Sequence, residues 1–151
     1  MVTIIDYADR HRDAFKILNE EWLKKYFTVE PIDVALLSEP KKEILDRGGK
    51  IFYAMAGDEV VGTVALLNEG NGIFELGKMA VSEKHQGAGI GKKLLEHALR
   101  YAKENGTKKV ILYSHTSLKS AIHLYKKFGF VEVPLDAGHY QRSDIKMERI
   151  V

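Results

Sequence analysis

The chain has no cysteine. Thiolate nucleophiles, disulfides, zinc ribbons and iron–sulfur clusters are therefore excluded. Proline is scarce, three in 151 residues, and no Pro-rich linker, low-complexity tract or internal repeat divides the chain. One domain spanning 1–151 is expected. Long apolar runs are absent too: the longest lies around Val60–Leu67, far short of the ~18 residues a membrane span requires. Asp6, Asp9 and Arg10 interrupt the first apolar stretch, so no secretory signal is read there, and a cytoplasmic address without a membrane partner is expected. Nor is there an excess of one charge. Lys and Arg number 23 against 21 Asp and Glu, a net +2. The lysine pairs (24–25, 41–42, 92–93, 108–109, 126–127) are scattered, which argues against a nucleic-acid footprint.

What is present is ordinary for a globular domain: 45% hydrophobic and 29% charged residues. A chain of this length buries roughly two-thirds of its unfolded surface, enough to fold without staples. The pattern predicts a strand at Thr3–Asp6 and a helix from about Asp9 to Phe27, with Ala14, Phe15, Leu18, Trp22 and Tyr26 at helical spacing. Short helices are predicted near Ile32–Leu37 and Pro40–Arg47, the latter stopped by Gly48. Strands Ile51–Ala56 and Val60–Leu67 flank the hairpin signal Gly57-Asp58, and Ile73–Val81 extends the meander. A helix over about Gly91–Lys103, a strand at Lys109–Ser114 and a helix over Ser117–Phe128 follow. Phe130–Val133 and Tyr140–Ile150 read as paired strands around a Pro134–Gly138 loop. Three antiparallel strands followed by a strand–helix–strand crossover make a mixed α/β sheet with one parallel pair.

The most specific local feature is Val81-Ser82-Glu83-Lys84-His85-Gln86-Gly87-Ala88-Gly89-Ile90-Gly91-Lys92. A strand ends, three glycines fall at alternate positions, and an amphipathic helix begins. Such a turn aims successive N–H groups, and the positive end of the helix dipole, at one anion. It is not a Walker A loop: Gly87 to Gly91 leaves three residues where four are needed, and Lys93 replaces the magnesium-binding hydroxyl. It is not a dinucleotide fingerprint either, since lysine stands at 92 where the third glycine belongs.

Gln86-x-x-Gly89-x-Gly91 after a strand resembles the Gln/Arg-x-x-Gly-x-Gly/Ala motif of the GNAT superfamily of N-acetyltransferases. Ala121-Ile122-His123-Leu124-Tyr125-Lys126-Lys127-Phe128-Gly129-Phe130 is similar to that family's Ala-x-x-Leu-Tyr-x-x-x-Gly-Phe segment. The resemblance is strong over Ile73–Val133 and holds in outline before it. It implies a mixed, mostly antiparallel sheet flanked by helices, with the strands at Ile73–Val81 and Lys109–Ser114 splayed to admit acetyl-CoA. The pyrophosphate would rest on the backbone of Gln86, Gly87, Ala88, Gly89, Ile90 and Gly91, near Lys92. Pantetheine would run along Met79, Ala80 and Val81. One departure is Leu118, where many relatives carry Asn; that contact to the cofactor is then either absent or supplied by Ser117 or Ser120.

Acyl transfer from a thioester to an amine needs a neutral amine, a polarised carbonyl and a proton for the leaving thiolate. A lysine-like amine must give up roughly 4.6 kcal/mol to be neutral at pH 7, an α-amine only ~1. Glu75, in an otherwise apolar strand, is the candidate base; its alternatives are a place on the solvent face or a pairing with Lys78. The resemblance implies Tyr125 as the acid facing the CoA sulfur, and the Met79 or Ala80 N–H as carbonyl polariser. Trp22 and Tyr26, with Glu21, Glu30 and Asp33, form an acidic and aromatic cluster suited to a cationic amine. The same residues also read as a helix face, with Glu21 and Glu30 solvated. Arg142 reads either as a bidentate partner for a substrate carboxylate or as a surface arginine. The histidines at 11, 85, 97, 115, 123 and 139 include no i, i+4 pair, and no metal is expected.

The expected function is acetyl-CoA-dependent N-acetylation of a small primary amine or amino-acid-like acceptor, by direct attack without an acyl-enzyme. A protein or peptide amino group as acceptor, or a non-catalytic acyl-CoA-binding domain, are the alternatives. A homodimer would fit the family pattern.

Overall fold

A computed structural model describes residues 1–136 and 140–151. Ala137, Gly138 and His139 lie outside the described residues, and with them the end of the expected Pro134–Gly138 loop. In chain order the elements are β1 (Val2–Asp6), α1 (Arg12–Tyr26), α2 (Pro31–Ser38), β2 (Lys50–Ala56), β3 (Glu59–Gly70), β4 (Ile73–Val81), α3 (Ile90–Glu104), β5 (Lys109–Ser114), α4 (Lys119–Lys127), β6 (Val131–Val133) and β7 (Ile145–Ile150). Short 3-10 turns at Asp9–His11 and Glu83–His85 and a π-helical turn at Lys41–Leu45 complete them.

The strands form one seven-stranded sheet in the order β1-β2-β3-β4-β5-β7-β6. Every described pairing is antiparallel except β4 with β5. That parallel pair is brief: only Ile73, Phe74 and Glu75 face Lys109, Val110 and Ile111. Past Glu75 the two strands part, and β5 continues against β7 as far as Ser114 opposite Ile145.

Each face of the sheet carries its own core, as alternation along β2 requires. On one face Leu94, Leu95, Ala98 and Ala102 of α3, all fully buried, pack on Phe52, Val64, Leu66, Leu112 and Met147. Gly62 permits this contact, because a Cβ there would come within 3.0 Å of both Ile90 and Leu94. On the other face Phe15 and Leu23 of α1 and Leu36 and Leu37 of α2 cover Ile51, Tyr53 and Ala65.

The predicted elements are all present, with two differences of substance. The expected Pro40–Arg47 helix is a π-turn at Lys41–Leu45 between Pro40 and Asp46. The expected strand from Tyr140 begins only at Ile145. Residues 140–144 instead form a turn, Ser143 N–H donating to Tyr140 O and Asp144 N–H to Ser114 O, because Tyr140 and Arg142 are drawn inward to Glu75, Glu30 and Asp33. Among the described residues no helix is long and apolar enough to cross a membrane.

Candidate active site

The parting of β4 from β5 opens a cleft of about 530 Å³, walled by both strands, the end of α1, the start of α4 and residues 140–143. Glu75 stands where pairing ends. Its carboxyl is buried, 1% exposed, on the face covered by α1 and α2. Oε2 accepts the Tyr140 hydroxyl at 3.5 Å, while Oε1 is buried without a hydrogen-bond partner among the described residues. Burial, reinforced by the neighbouring Glu69 carboxylate, pushes the Glu75 carboxyl up to about 8, against the opposing pull of Lys78 and Tyr140.

Three residues on, β4 bulges. Thr63 faces Ala80 and Ala65 faces Gly77, so Lys78 and Met79 together oppose Val64. Lys78 takes the left-handed conformation, φ +49°, one of two non-glycine residues with positive φ among the described residues. For a non-glycine residue this backbone costs about 1–2 kcal/mol. The bulge turns Lys78 inward, where Nζ donates to Asp33 Oδ1 and lies 4.7 Å from the Tyr140 ring centre. Burial drags the Lys78 ammonium down, and Asp33 holds it up.

Asp33 is completely buried. It accepts Arg142 through both guanidinium arms, at 2.8 and 2.9 Å, and the Glu30 backbone N–H at 2.8 Å in the capping box of α2. Burial pushes its carboxyl up, but Arg142 and Lys78 outweigh that and hold it at about 2. Glu30 accepts Arg142 Nη1 at 3.0 Å and the Gln141 N–H at 2.8 Å. These contacts fasten residues 140–142 to the start of α2. The reading of Glu30 as solvated and Arg142 as a surface group is thereby corrected: their side chains are 15% and 16% exposed and bound to each other. The carboxylate that Arg142 grips is the chain's own.

Trp22 and Tyr26 line the cleft, with ring centres 5.5 Å apart, and Phe27 stacks edgewise on His115 at 5.7 Å across the opening. Glu21 is exposed and does not line the cleft. From α4, Tyr125 lines the same space, and burial pushes its phenol up to about 12. Of the two serines offered in place of the family's Asn, Ser117 is 2.7 Å from His115 Nδ1, and Ser120 also lines the cleft beside Leu118. His123 is exposed on α4, and no cluster able to hold a metal occurs among the described residues.

Met79, Ala80 and Val81 form the β4 edge that β5 leaves unpaired, beside Gln86, whose amide donates to Val81 O at 3.4 Å. Gly87 and Gly89 adopt φ +84° and +76°, and a Cβ on either would meet nothing within 4 Å. Gly89 is the left-handed N-cap of α3, and no side chain caps that helix. The first N–H groups of α3, from Ile90, Gly91 and Lys92, have no intrahelical acceptor. With Gly87 and Ala88 they form an open polar cradle that suits a diphosphate. Ile90 is 2% exposed, so it offers only its backbone. Lys92 lies 4.0 Å from Glu96.

Sequence reasoning missed Lys78 and Tyr140 as residues of this site. Nothing in the local pattern marks a lysine as the inward residue of a bulge, and Tyr140 reads as a strand aromatic.

A sequence profile described as the acetyltransferase (GNAT) family matches residues 12–130. The chain is 33% identical over 116 residues to an uncharacterised N-acetyltransferase, YvbK, of Bacillus subtilis, covering 75% of each. It is 34% identical over 109 residues to N-acetyltransferase family 8 member 2 of Rattus norvegicus, covering 69% of this chain but 46% of that one, about half its length. The fold superposes on a GNAT-family acetyltransferase of Staphylococcus aureus with a TM-score of 0.89 over 99% of both chains at 23% identity. A PaiA N-acetyltransferase of Thermoplasma acidophilum, solved in complex with coenzyme A, gives a TM-score of 0.77 at 19% identity, over 100% of this chain and 99% of that one. A profile match across most of the chain, over this fold and this cleft, means that the chain belongs to the GNAT family of acetyltransferases.

Proposed function

We propose that the protein is an acetyl-CoA-dependent N-acetyltransferase that passes the acetyl group directly to a primary amine of a small molecule. The observation that carries this reading is three features that meet at one cleft: Gln86 at the head of the uncapped glycine turn, the unpaired edge Met79–Val81, and the buried Glu75. Acetyl-CoA supplies the activated thioester. The chain supplies position and proton management.

Met79 and Ala80 lie on the unpaired edge, where a backbone N–H can polarise the acetyl carbonyl. The acceptor amine attacks that carbon, the C–N bond forms, the C–S bond breaks, and the amine's proton passes to Glu75 directly or through water. A carboxylate near 8 is matched to this task at neutral to mildly alkaline pH. Tyr125 donates a hydrogen bond to the departing sulfur. Its phenol near 12 lies above a thiol's ~8.5, so complete transfer to a free thiolate is uphill by ~5 kcal/mol. Its contribution is therefore a hydrogen bond that strengthens as charge builds on sulfur.

A small acceptor is favoured over a polypeptide by the fastening of residues 140–142 to α2 through Glu30, Asp33 and Arg142. That contact fixes the wall of the cleft formed by Tyr140 and Arg142. An amino-acid acceptor gains nothing from Arg142, whose fork is already filled by Asp33. The test is mass-spectrometric detection of N-acetylated product from acetyl-CoA and a panel of small amines and short peptides. A small acetylated amine supports the reading, and acetylated peptides alone would refute it.

A further inference from the structure

The charged side chains at the acceptor end of the cleft neutralise one another. Asp33 is matched by Lys78 and by both arms of Arg142, and Glu30 by Arg142. Two carboxylates stand against two cations, and among the described residues of this cluster no anion is left over for a ligand. Among the described residues that line the cleft, Glu75 is the only acid, and the proposed chemistry reserves it for the amine that reacts. The acidic cluster that the sequence offers for a cationic substrate is therefore occupied from within.

The consequence differs for each kind of acceptor. A second ammonium on the acceptor meets no unmatched carboxylate and two fixed cations, Lys78 and Arg142. A carboxylate on the acceptor finds the Arg142 fork engaged and Asp33 directly behind it. Beside polar groups such as Asn19, Ser114 and Ser117, the remaining lining carries aromatic rings. Trp22, Tyr26 and Phe27 stand on the α1 side, with ring centres 5.5 to 5.7 Å from Trp22. Tyr113 stands on the β5 side, 6.5 Å from Tyr140, whose ring itself carries Lys78 at 4.7 Å and Arg142 at 4.5 Å. Such walls hold a flat apolar body by area and edge contacts.

We infer that the acceptor is an arylalkyl monoamine, uncharged apart from its reacting nitrogen, and that polyamines, aminoglycosides and free amino acids are discriminated against. This rests on the amine acetylation proposed above and names its substrate class. The same balanced step applies: the amine nitrogen displaces CoA sulfur from the acetyl carbon, and the nitrogen's proton goes to Glu75.

The experiment compares kcat/KM for 2-phenylethylamine, butylamine, 1,4-diaminobutane and phenylalanine at a saturating acetyl-CoA concentration. The expected order places 2-phenylethylamine first. It should lead 1,4-diaminobutane and phenylalanine on the order of 100-fold, the scale of an uncompensated like-charge contact or an unmet carboxylate. Butylamine isolates the aromatic contribution and should fall between. Arg142→Gln, which removes the cation matched to Glu30 and one of the two matched to Asp33, should narrow the diamine gap to about tenfold. If that variant fails to fold, wild-type thermal shifts in the presence of coenzyme A serve instead: 2-phenylethylamine should raise Tm and 1,4-diaminobutane should not. Equal or better turnover of 1,4-diaminobutane or phenylalanine overturns the inference while leaving amine acetylation intact. Inertness of all four amines, with acetyl-CoA bound, overturns amine acetylation and the inference together.

Discussion

Arg142 grips Asp33 with both arms of its guanidinium, at 2.8 and 2.9 Å, across 109 residues of sequence. The pair joins the turn before β7 to the first turn of α2, and so fixes the wall of the cleft opposite Tyr125. Replacing Arg142 by Ala leaves Asp33, fully buried, with the Glu30 N–H and a single cation, Lys78. The expected loss of stability is about 3 kcal/mol, the lower end for breaking a buried pair, because one cation remains. Urea denaturation of the two proteins measures it.

The same pair sets an acid limit. The folded Asp33 carboxyl sits at about 2, below its ordinary 3.8. Its contribution to stability is therefore complete above the ordinary value and disappears as pH falls through about 2. Thermal melts of the wild type between pH 5 and 2 should fall more steeply than those of Asp33→Asn, which is already destabilised and lacks this titration.

Glu75 has the opposite sign. Its folded carboxyl is raised from 4.5 to about 8, so the folded protein holds a proton that the unfolded chain has released. Stability should decline as pH rises from about 4.5 to about 8 and stay at the lower value above that. Glu75→Gln should remove this decline, melting above the wild type at pH 9. It should also lower kcat 10²- to 10⁴-fold, the usual worth of a general base, while coenzyme A binding is retained. A variant equal to wild type in turnover, with chemistry limiting the rate, removes the assignment.

Tyr125→Phe should lower kcat by about 10²-fold, the lower end for acid catalysis. KM for acetyl-CoA should hardly change. Acyl donors with a more acidic leaving thiol should rescue the variant, because a more stable thiolate needs less help from a hydrogen bond.

Gly89→Ala probes the turn without steric complication, since a Cβ there meets nothing within 4 Å. The expected stability cost is about 1–2 kcal/mol from the left-handed backbone. Gly57→Ala, at φ +62° in the β2–β3 hairpin and equally open, is the matched control. Both should destabilise alike, while coenzyme A affinity, read by calorimetry, should fall only for Gly89→Ala.

What was legible in the sequence, and what was not, follows the range of the interactions. The turn at Gln86–Lys92 is local, and its glycines are required by backbone conformations that glycine supplies best. The two strands around it and α3 follow from alternation and helical period, and Glu75 is conspicuous as the carboxylate of an apolar strand. Lys78 was not legible as a site residue. It occupies a left-handed bulge that lysine rarely adopts, held there by Asp33 forty-five residues earlier. Tyr140 and Arg142 read as strand residues because their alternation is right. They leave the sheet because Glu75, Glu30 and Asp33 bind them, contacts spanning 65 to 112 residues. Glu30 and Asp33 read as a solvated or substrate-facing pair for the same reason: their cations are distant in sequence.

The most direct test of the central claim is the pH dependence of acetyl transfer to 2-phenylethylamine, followed by mass spectrometry, for the wild type and Glu75→Gln. N-acetylated amine is expected, with kcat/KM rising through a limb near 8 that the variant loses along with most of its rate. Absence of acetylated amine while coenzyme A binds, or an identical limb and rate in Glu75→Gln, would contradict it.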